Sequence, residues 1–344
     1  MSRAAFKQPL KVGWVGVRGY GEKIWQSVSE LGDLKVVSCF HPEKNIAQGA
    51  AIRMGSQVSE SYESLITSKE IDAVVLIVPN QVHFLLAKDA LSAGKHVFLE
   101  KPITNTYEDA VNLKTHAEMC GLKLIVGHNY RYSGYIAAIK EALLAGRIGN
   151  IVGGEFNMGH GGGLKFGPSK WRFHASKCPG GPLNMLGSHL IDASNYLFGR
   201  PVQVSATVKN LFASTTSEDM SFLQLSYEGG EVVNIVNLYN SVSTEYVNIY
   251  GTKGALRFSQ WPQPRLWYQP KDIDTECANY ERVDYKEKDS ARELFEKFIQ
   301  SVLDPDSQFS NIEDAVDVIK VIEAAMQSHH YNKKVSISEI SPSR

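Results

Sequence analysis

Cysteine is scarce and scattered: Cys39, Cys120, Cys178 and Cys277 in 344 residues, with no C-x-x-C pair. That spacing supports neither a disulfide framework nor a zinc knuckle, and a reducing, cytoplasmic setting is the expectation. An excess of one charge is also missing. The chain has 36 Lys and Arg against 37 Asp and Glu, a formal net charge of −1. It shows no basic stripe of the kind a nucleic-acid binder carries. The longest aliphatic run covers residues 73–78, far short of the ~18 apolar residues that suggest a membrane span. The opening MSRAAFKQPLKVGW lacks the apolar stretch of a signal peptide. Three catalytic signatures are absent as well. No G-x-S-x-G elbow accompanies His160-Gly161-Gly162-Gly163, and there is no G-x-x-x-x-G-K-[ST] loop and no H-E-x-x-H. His329-His330 has no apparent third ligand, so no metal site is expected.

What is present is alternation. Apolar strand patterns at 10–17, 34–40, 71–78, 96–99 and 122–126 are separated by helical patterns at 21–31, 81–93 and 107–119. A further polar helix carries Ala47, Ala50, Ala51 and Met54. Strands apolar on both faces predict a parallel sheet covered by helices on each side. Such a doubly wound sheet binds its ligands at the carboxyl ends of the strands. The loops to watch therefore start near Gly16, His41, Pro79, Glu100 and Gly127. After Asn150 the pattern changes to one strand at 151–158, a glycine-rich stretch up to Gly187 and a helix at 188–198. Strict alternation over 202–258 predicts antiparallel strands, and helices near 290–303 and 311–328 close the chain. The fold expected is α/β, with a doubly wound parallel domain at 1–126 and an α+β domain at 127–344. The closing helices are free to pack back on the first domain.

Three stretches carry chemistry. The first is Gly16-Val17-Arg18-Gly19-Tyr20-Gly21, between a strand and a helix. It has the context of a G-x-G-x-x-G dinucleotide loop, with Arg18 in the middle glycine's place. The acid that grips a ribose hydroxyl is missing from the end of the second strand, Ser38-Cys39-Phe40-His41. Asp33 lies at the wrong end of that strand, and Glu43 sits in the following turn. Arg18, His41 and Lys44 instead suit the 2′-phosphate of NADP. The cofactor expected is NAD or NADP, with NADP favoured. The second stretch is Glu100-Lys101-Pro102, at the carboxyl edge of a strand. The third is GGPLNMLGSHLID at 180–192, where His189 and Asp192 share a helix face that Tyr196 continues.

Together these stretches resemble the Gfo/Idh/MocA oxidoreductases over nearly the whole chain. The likeness runs through VGWVGVRGYG, VLIVPNQVHFLLAKDALSAGKHVFLEKPIT, VGHNYRY, KWRF and GGPLNMLGSHLID. It implies an N-terminal Rossmann domain and a C-terminal domain with a large, open, mainly antiparallel sheet that supports a homodimer or homotetramer. It implies NAD(P)-dependent oxidation or reduction of a secondary alcohol on a sugar or polyol. By the same resemblance Lys101 is the catalytic lysine and His189 the acid–base histidine. Pro79, Asn80, His83 and Glu100 border the nicotinamide. Trp171 and Arg172 reach the cofactor, and Asn129 and Arg131 lie near the substrate. Met185 stands where many members carry an Asp beside the histidine, leaving Asp192 as an indirect orienting group. Two other readings stay open: an NAD-dependent glycoside hydrolase on the same fold, and a non-catalytic dinucleotide-binding sensor.

Overall fold

Mostly apolar runs of three to seven residues build five of the six strands of the first sheet. Residues 8–271 and 279–342 are described in the computed structural model of the chain; the N-terminal seven residues and Cys277 lie outside them. Six strands align as β1 (Leu10–Val15), β2 (Leu34–Phe40), β3 (Gln57–Val58), β4 (Ala73–Leu76), β5 (His96–Leu99) and β6 (Leu124–Val126), in the spatial order β3-β2-β1-β4-β5-β6. Every pair is parallel. The order reverses between β1 and β4, the switch point that opens a ligand crevice in such sheets. The helices are α1 (Tyr20–Val28), α2 (Lys44–Met54), α3 (Tyr62–Thr67), α4 (His83–Ser92) and α5 (Tyr107–Cys120). The buried face of α2 is Ala47, Ala50, Ala51 and Met54, the stripe read from the sequence. Strand β3 and helix α3 were not anticipated, being too short for a periodic signal.

The first compact unit runs up to Asn129 and then takes in Ala291–Val316. The sheet explains the return. Trp14 and Phe98 are buried, and Phe295 covers both, with ring centroids 5.8 and 4.0 Å away. Asn311 closes the sheet edge: its amide accepts from Val126 N–H at 2.9 Å and donates to Val126 C=O at 2.7 Å.

The second unit holds Tyr130–Ser290 and the residues from Asp317 on. It contains α6 (Gly134–Leu144), β7 (Ile151–Gly159), α7 (Ser188–Phe198), β8 (Gln203–Lys209), β9 (Met220–Ser226), β10 (Val232–Leu238), β11 (Thr244–Gly251), β12 (Gly254–Ser259), β13 (Arg265–Pro270) and β14 (Glu281–Val283). Helices α8 (Ser290–Leu303) and α9 (Ile312–Tyr331) follow, then β15 (Val335–Ser336). The nine strands order as β14-β13-β12-β11-β7-β10-β9-β8-β15. The described ladders are antiparallel apart from β7 with β10. One face is core: Phe156 meets Phe198 of α7, and Phe258 stacks on Tyr135 of α6. The other face leaves Phe222 47% exposed. The expected glycine-rich loop before α7 is instead a π-helical turn, Leu183–Gly187, continuous with it. Gly180 and Gly181, at φ +75° and +47°, make the bend and free the next residues to wind. Among the described residues no helix is long and apolar enough to cross a membrane. No group of three or more His, Cys, Asp or Glu that could hold a metal ion occurs among them either.

Candidate active site

In the first unit the opening loop has the full length of a dinucleotide turn. Gly16 sits at φ +97°, and a Cβ there would lie 1.9 Å from the Ile77 carbonyl oxygen. A Cβ on Gly21 would lie 1.8 Å from the Gly16 carbonyl oxygen. These two glycines allow the tight turn and the close strand–helix packing that the outer glycines of the motif provide. Gly19, at φ +58° with nothing within 4 Å of a Cβ, starts α1, and no side chain caps that helix. An uncapped N-terminus beside open space is a cradle for an anion. Val17 is buried. Arg18 points outward, with Nη1 3.7 Å from Glu43 Oε1. The sequence left Glu43 aside as a turn residue, yet the turn brings it opposite Arg18. His41 Nδ1 accepts the Glu43 N–H at 3.0 Å, which leaves Nε2 as the protonated nitrogen of the neutral ring. Trp14 is a core residue, and its Nε1 donates to Gly16 C=O at 3.3 Å.

The loops after β4 and β5 bring the second stretch to the same sheet edge. Pro79 is extended, and Asn80 opens a short 3-10 turn that leads into α4. His83 is fully buried, with its ring nitrogens 2.7 and 2.8 Å from the carbonyl oxygens of Pro102 and Val78. Burial pushes its pKa down, the carbonyls of Val78 and Pro102 pull it back, and the Lys101 charge adds to the fall. The ring thus ties the two loops together, and its ring nitrogens are turned to backbone. Glu100 and Lys101 are both buried, at 6% and 7% exposure. Glu100 Oε2 accepts the Lys101 N–H at 2.9 Å, and a Cβ on Gly127 would lie 2.7 Å from Oε1. Glu100 therefore shapes the loop that carries Lys101. Asn129, at the end of this unit, donates its N–H to Gly127 C=O at 2.9 Å.

In the second unit the residues around His189 are brought together. Arg131, in the 3-10 turn Tyr130–Tyr132, clamps Asp192 with two bonds: Nε to Oδ2 at 2.9 Å, and Nη2 to Oδ1. Asp192 is fully buried. Asp192, read from the sequence as an orienting group for His189, and Arg131, read as a substrate residue, are therefore paired with each other. The Tyr130 ring lies 5.8 Å from the His189 ring. Met185 is buried in an apolar cluster with Cys178 and Tyr239, and Phe166, Trp171 and Leu186 pack against it. A carboxylate at 185 would have to be desolvated there, which accounts for the methionine. The Arg172 guanidinium lies 4.7 Å from the Trp171 ring centroid. His160 Nδ1 accepts the Gly162 N–H at 2.9 Å, and burial followed by the Arg172 charge lowers its pKa. His160 is thus a fixed neutral ring in a turn, which accounts for HGGG without an esterase.

Pattern reading missed the bracket behind this wall. Asp219 accepts from the N–H groups of Leu211, Phe212 and Ala213 at 2.8–2.9 Å. The loop so fixed donates from Thr216 and Ser217 N–H to Phe173 C=O, and from Ser217 Oγ to Cys178 C=O at 2.6 Å. A separate cavity of about 340 Å³, lined by Asn195, Arg200, Val202 and Lys320 among others, holds none of the residues predicted for the site.

Residues 10–128 match an oxidoreductase family with an NAD-binding Rossmann fold (GFO/IDH/MocA), and residues 136–257 match the GFO/IDH/MocA C-terminal domain. The scyllo-inositol 2-dehydrogenase (NADP(+)) of Bacillus subtilis strain 168 is 25% identical over 304 residues, covering 82% of this chain and 83% of that protein. A crystal structure from Desulfitobacterium hafniense superposes with a TM-score of 0.91 at 23% identity, over 97% of this chain and 99% of that one. Levoglucosan dehydrogenase in complex with NADH does so with a TM-score of 0.85 at 20% identity, over 96% and 99%. Likeness at those identities establishes the fold.

Proposed function

Because this chain belongs to the GFO/IDH/MocA family of NAD-binding oxidoreductases, we propose that it oxidises or reduces a secondary alcohol on a sugar, sugar derivative or polyol. The observation that carries this reading is Lys101, buried at the carboxyl edge of β5 in the same unit as the Gly16–Gly21 cradle. The cradle fits a dinucleotide pyrophosphate: open space at Gly19, an uncapped helix N-terminus, and two glycines that no side chain could replace. Arg18, Gly19, Tyr20 and Gly21 would hold the phosphates and ribose, with Pro79, Asn80 and Lys101 further along the edge. A bound nicotinamide supplies the two-electron acceptor or donor. Lys101 donates a hydrogen bond to the reacting oxygen and favours its negative charge. His189 takes the hydroxyl proton in oxidation and returns it in reduction, since its unperturbed pKa lies near neutrality. Glu100 and His83 hold the lysine loop in shape. We read the open face of the second sheet as the seat of a homodimer or homotetramer.

The test is turnover on a panel of inositols, aldoses and anhydrosugars with NAD and NADP. Lys101→Ala and His189→Ala are each expected to lower kcat by ~10²-fold or more, while intrinsic tryptophan fluorescence still reports cofactor binding. Wild-type turnover in both variants would refute the assignment.

A further inference from the structure

His189 needs a fixed ring to exchange a proton with one oxygen atom, and position 185 carries a methionine where a carboxylate would serve as a relay. Its neighbour on the polar face, Asp192, is engaged by Arg131. The turn Tyr130–Tyr132 that supplies Arg131 also supplies the aromatic ring beside the histidine. The centroids of Tyr130 and His189 lie 5.8 Å apart, with planes inclined by 45°.

Tyr130 is itself held from the far side. Its hydroxyl donates to Glu245 Oε1 at 2.9 Å, and the Tyr135 hydroxyl donates to the same oxygen at 3.0 Å. Glu245 lies on β11, paired with Met158 of β7 and so on the same sheet face as Met158. Tyr135 stacks on Phe258 of β12 at 3.5 Å, and the two tyrosines meet edge to face at 5.8 Å. Burial first, then the Glu245 charge, pushes the Tyr130 phenol well above its ordinary value. Burial again dominates for Tyr135. Both phenols therefore stay protonated and keep donating. The Tyr130 ring is thus fixed at two ends. Its chain neighbour grips α7 through the buried Arg131–Asp192 pair, and its hydroxyl grips the sheet.

We propose that Tyr130 is the positioning residue for His189 and that Glu245, shared with Tyr135, is its anchor. The inference rests on reading His189 as the acid–base group. Packing against a fixed ring replaces the carboxylate relay that position 185 lacks. The shared Glu245 oxygen holds both phenols from the sheet side. A displacement of about 1 Å at such a group can cost about 10²-fold in rate.

The experiment compares Tyr130→Leu, Tyr130→Phe, Glu245→Ala and His189→Gln in the full-length protein. Tyr130→Leu is expected to lower kcat by up to about 10²-fold, with substrate KM and cofactor Kd little changed. Tyr130→Phe, which keeps the ring, is expected to restore most of that loss. Glu245→Ala should fall between them, with thermal melts confirming that each variant folds. If His189→Gln abolishes turnover and Tyr130→Leu leaves kcat intact, the positioning role is wrong and the acid–base reading stands. If His189→Gln turns over like wild type, the acid–base reading itself fails. A second readout needs no substrate. In protein labelled with [13C]histidine, the His189 ring signal, identified by its loss in His189→Gln, should move in Tyr130→Leu and stay near its place in Tyr130→Phe. An unmoved signal in Tyr130→Leu would overturn the inference.

Discussion

His83 has a ring nitrogen against each of two backbone carbonyls, Val78 C=O at 2.8 Å and Pro102 C=O at 2.7 Å. The resemblance marked the position as bordering the nicotinamide; it could not say that the ring faces backbone. Arg18 has the converse history. A charge in place of a glycine looks like damage in a motif, and its partner Glu43 becomes visible only when the turn after β2 is folded. The pair is exposed, at 65% and 69%, so it contributes little to stability and leaves Arg18 available. A 2′-phosphate would gain a charge-assisted bond from Arg18, worth about 1.5–3 kcal/mol or roughly 10- to 100-fold in Kd. Arg18→Ala should therefore weaken NADP by that factor and NAD far less, as read by fluorescence titration. Glu43→Gln should strengthen NADP binding relative to NAD. Equal losses for both cofactors in Arg18→Ala would remove Arg18 from cofactor choice.

Elements were legible where their periodicity was long or their apolar run continuous. The central strands and α8 needed only that signal, and α8 spans Ser290–Leu303 as the pattern had it. The π-helical turn Leu183–Gly187 was not, because glycines next to leucines read as a loop whether or not the backbone winds. Alternation over the second sheet gave the buried face of each strand but no direction, so the parallel β7–β10 ladder escaped it. The β8–β9 connection was invisible for another reason: its order comes from one buried carboxylate reaching back to three amides. Burial alone would raise the Asp219 pKa; the N–H groups of Phe212, Ala213 and Leu211 overcome that and hold it below its usual value. A carboxyl with a depressed folded pKa stabilises above its unfolded pKa and loses that contribution as pH falls through the folded value. Asp219→Asn should therefore cost about 1.5–3 kcal/mol near neutral pH. The gap from wild type should begin to narrow below about pH 4 and go on shrinking as pH falls. Urea melts at pH 7 and pH 3 check both statements, and an equal gap at the two pH values would contradict the anchoring role.

At the scale of the whole molecule, the change in pattern after Asn150 suggested two domains, divided at 126/127, and the compact units divide at Asn129/Tyr130. The composition of the first unit was less legible, because no local signal says that Phe295 covers Trp14 or that Asn311 pairs with Val126. A fragment that stops at Asn129 lacks α8 and leaves the Trp14 and Phe98 face bare. It is expected to aggregate or to show no cooperative melt by circular dichroism, whereas the full chain melts cooperatively. A stable, cooperatively folding fragment would show that α8 is dispensable. The same arrangement has a consequence in time. The ribosome finishes the six strands of the first sheet and then adds about 160 residues before the covering helix emerges. At roughly 5–20 residues per second that interval is on the order of ten to thirty seconds. Throughout it the aromatic face of a nearly complete nucleotide-binding sheet is open to any chaperone, or any other nascent chain, that reaches it first.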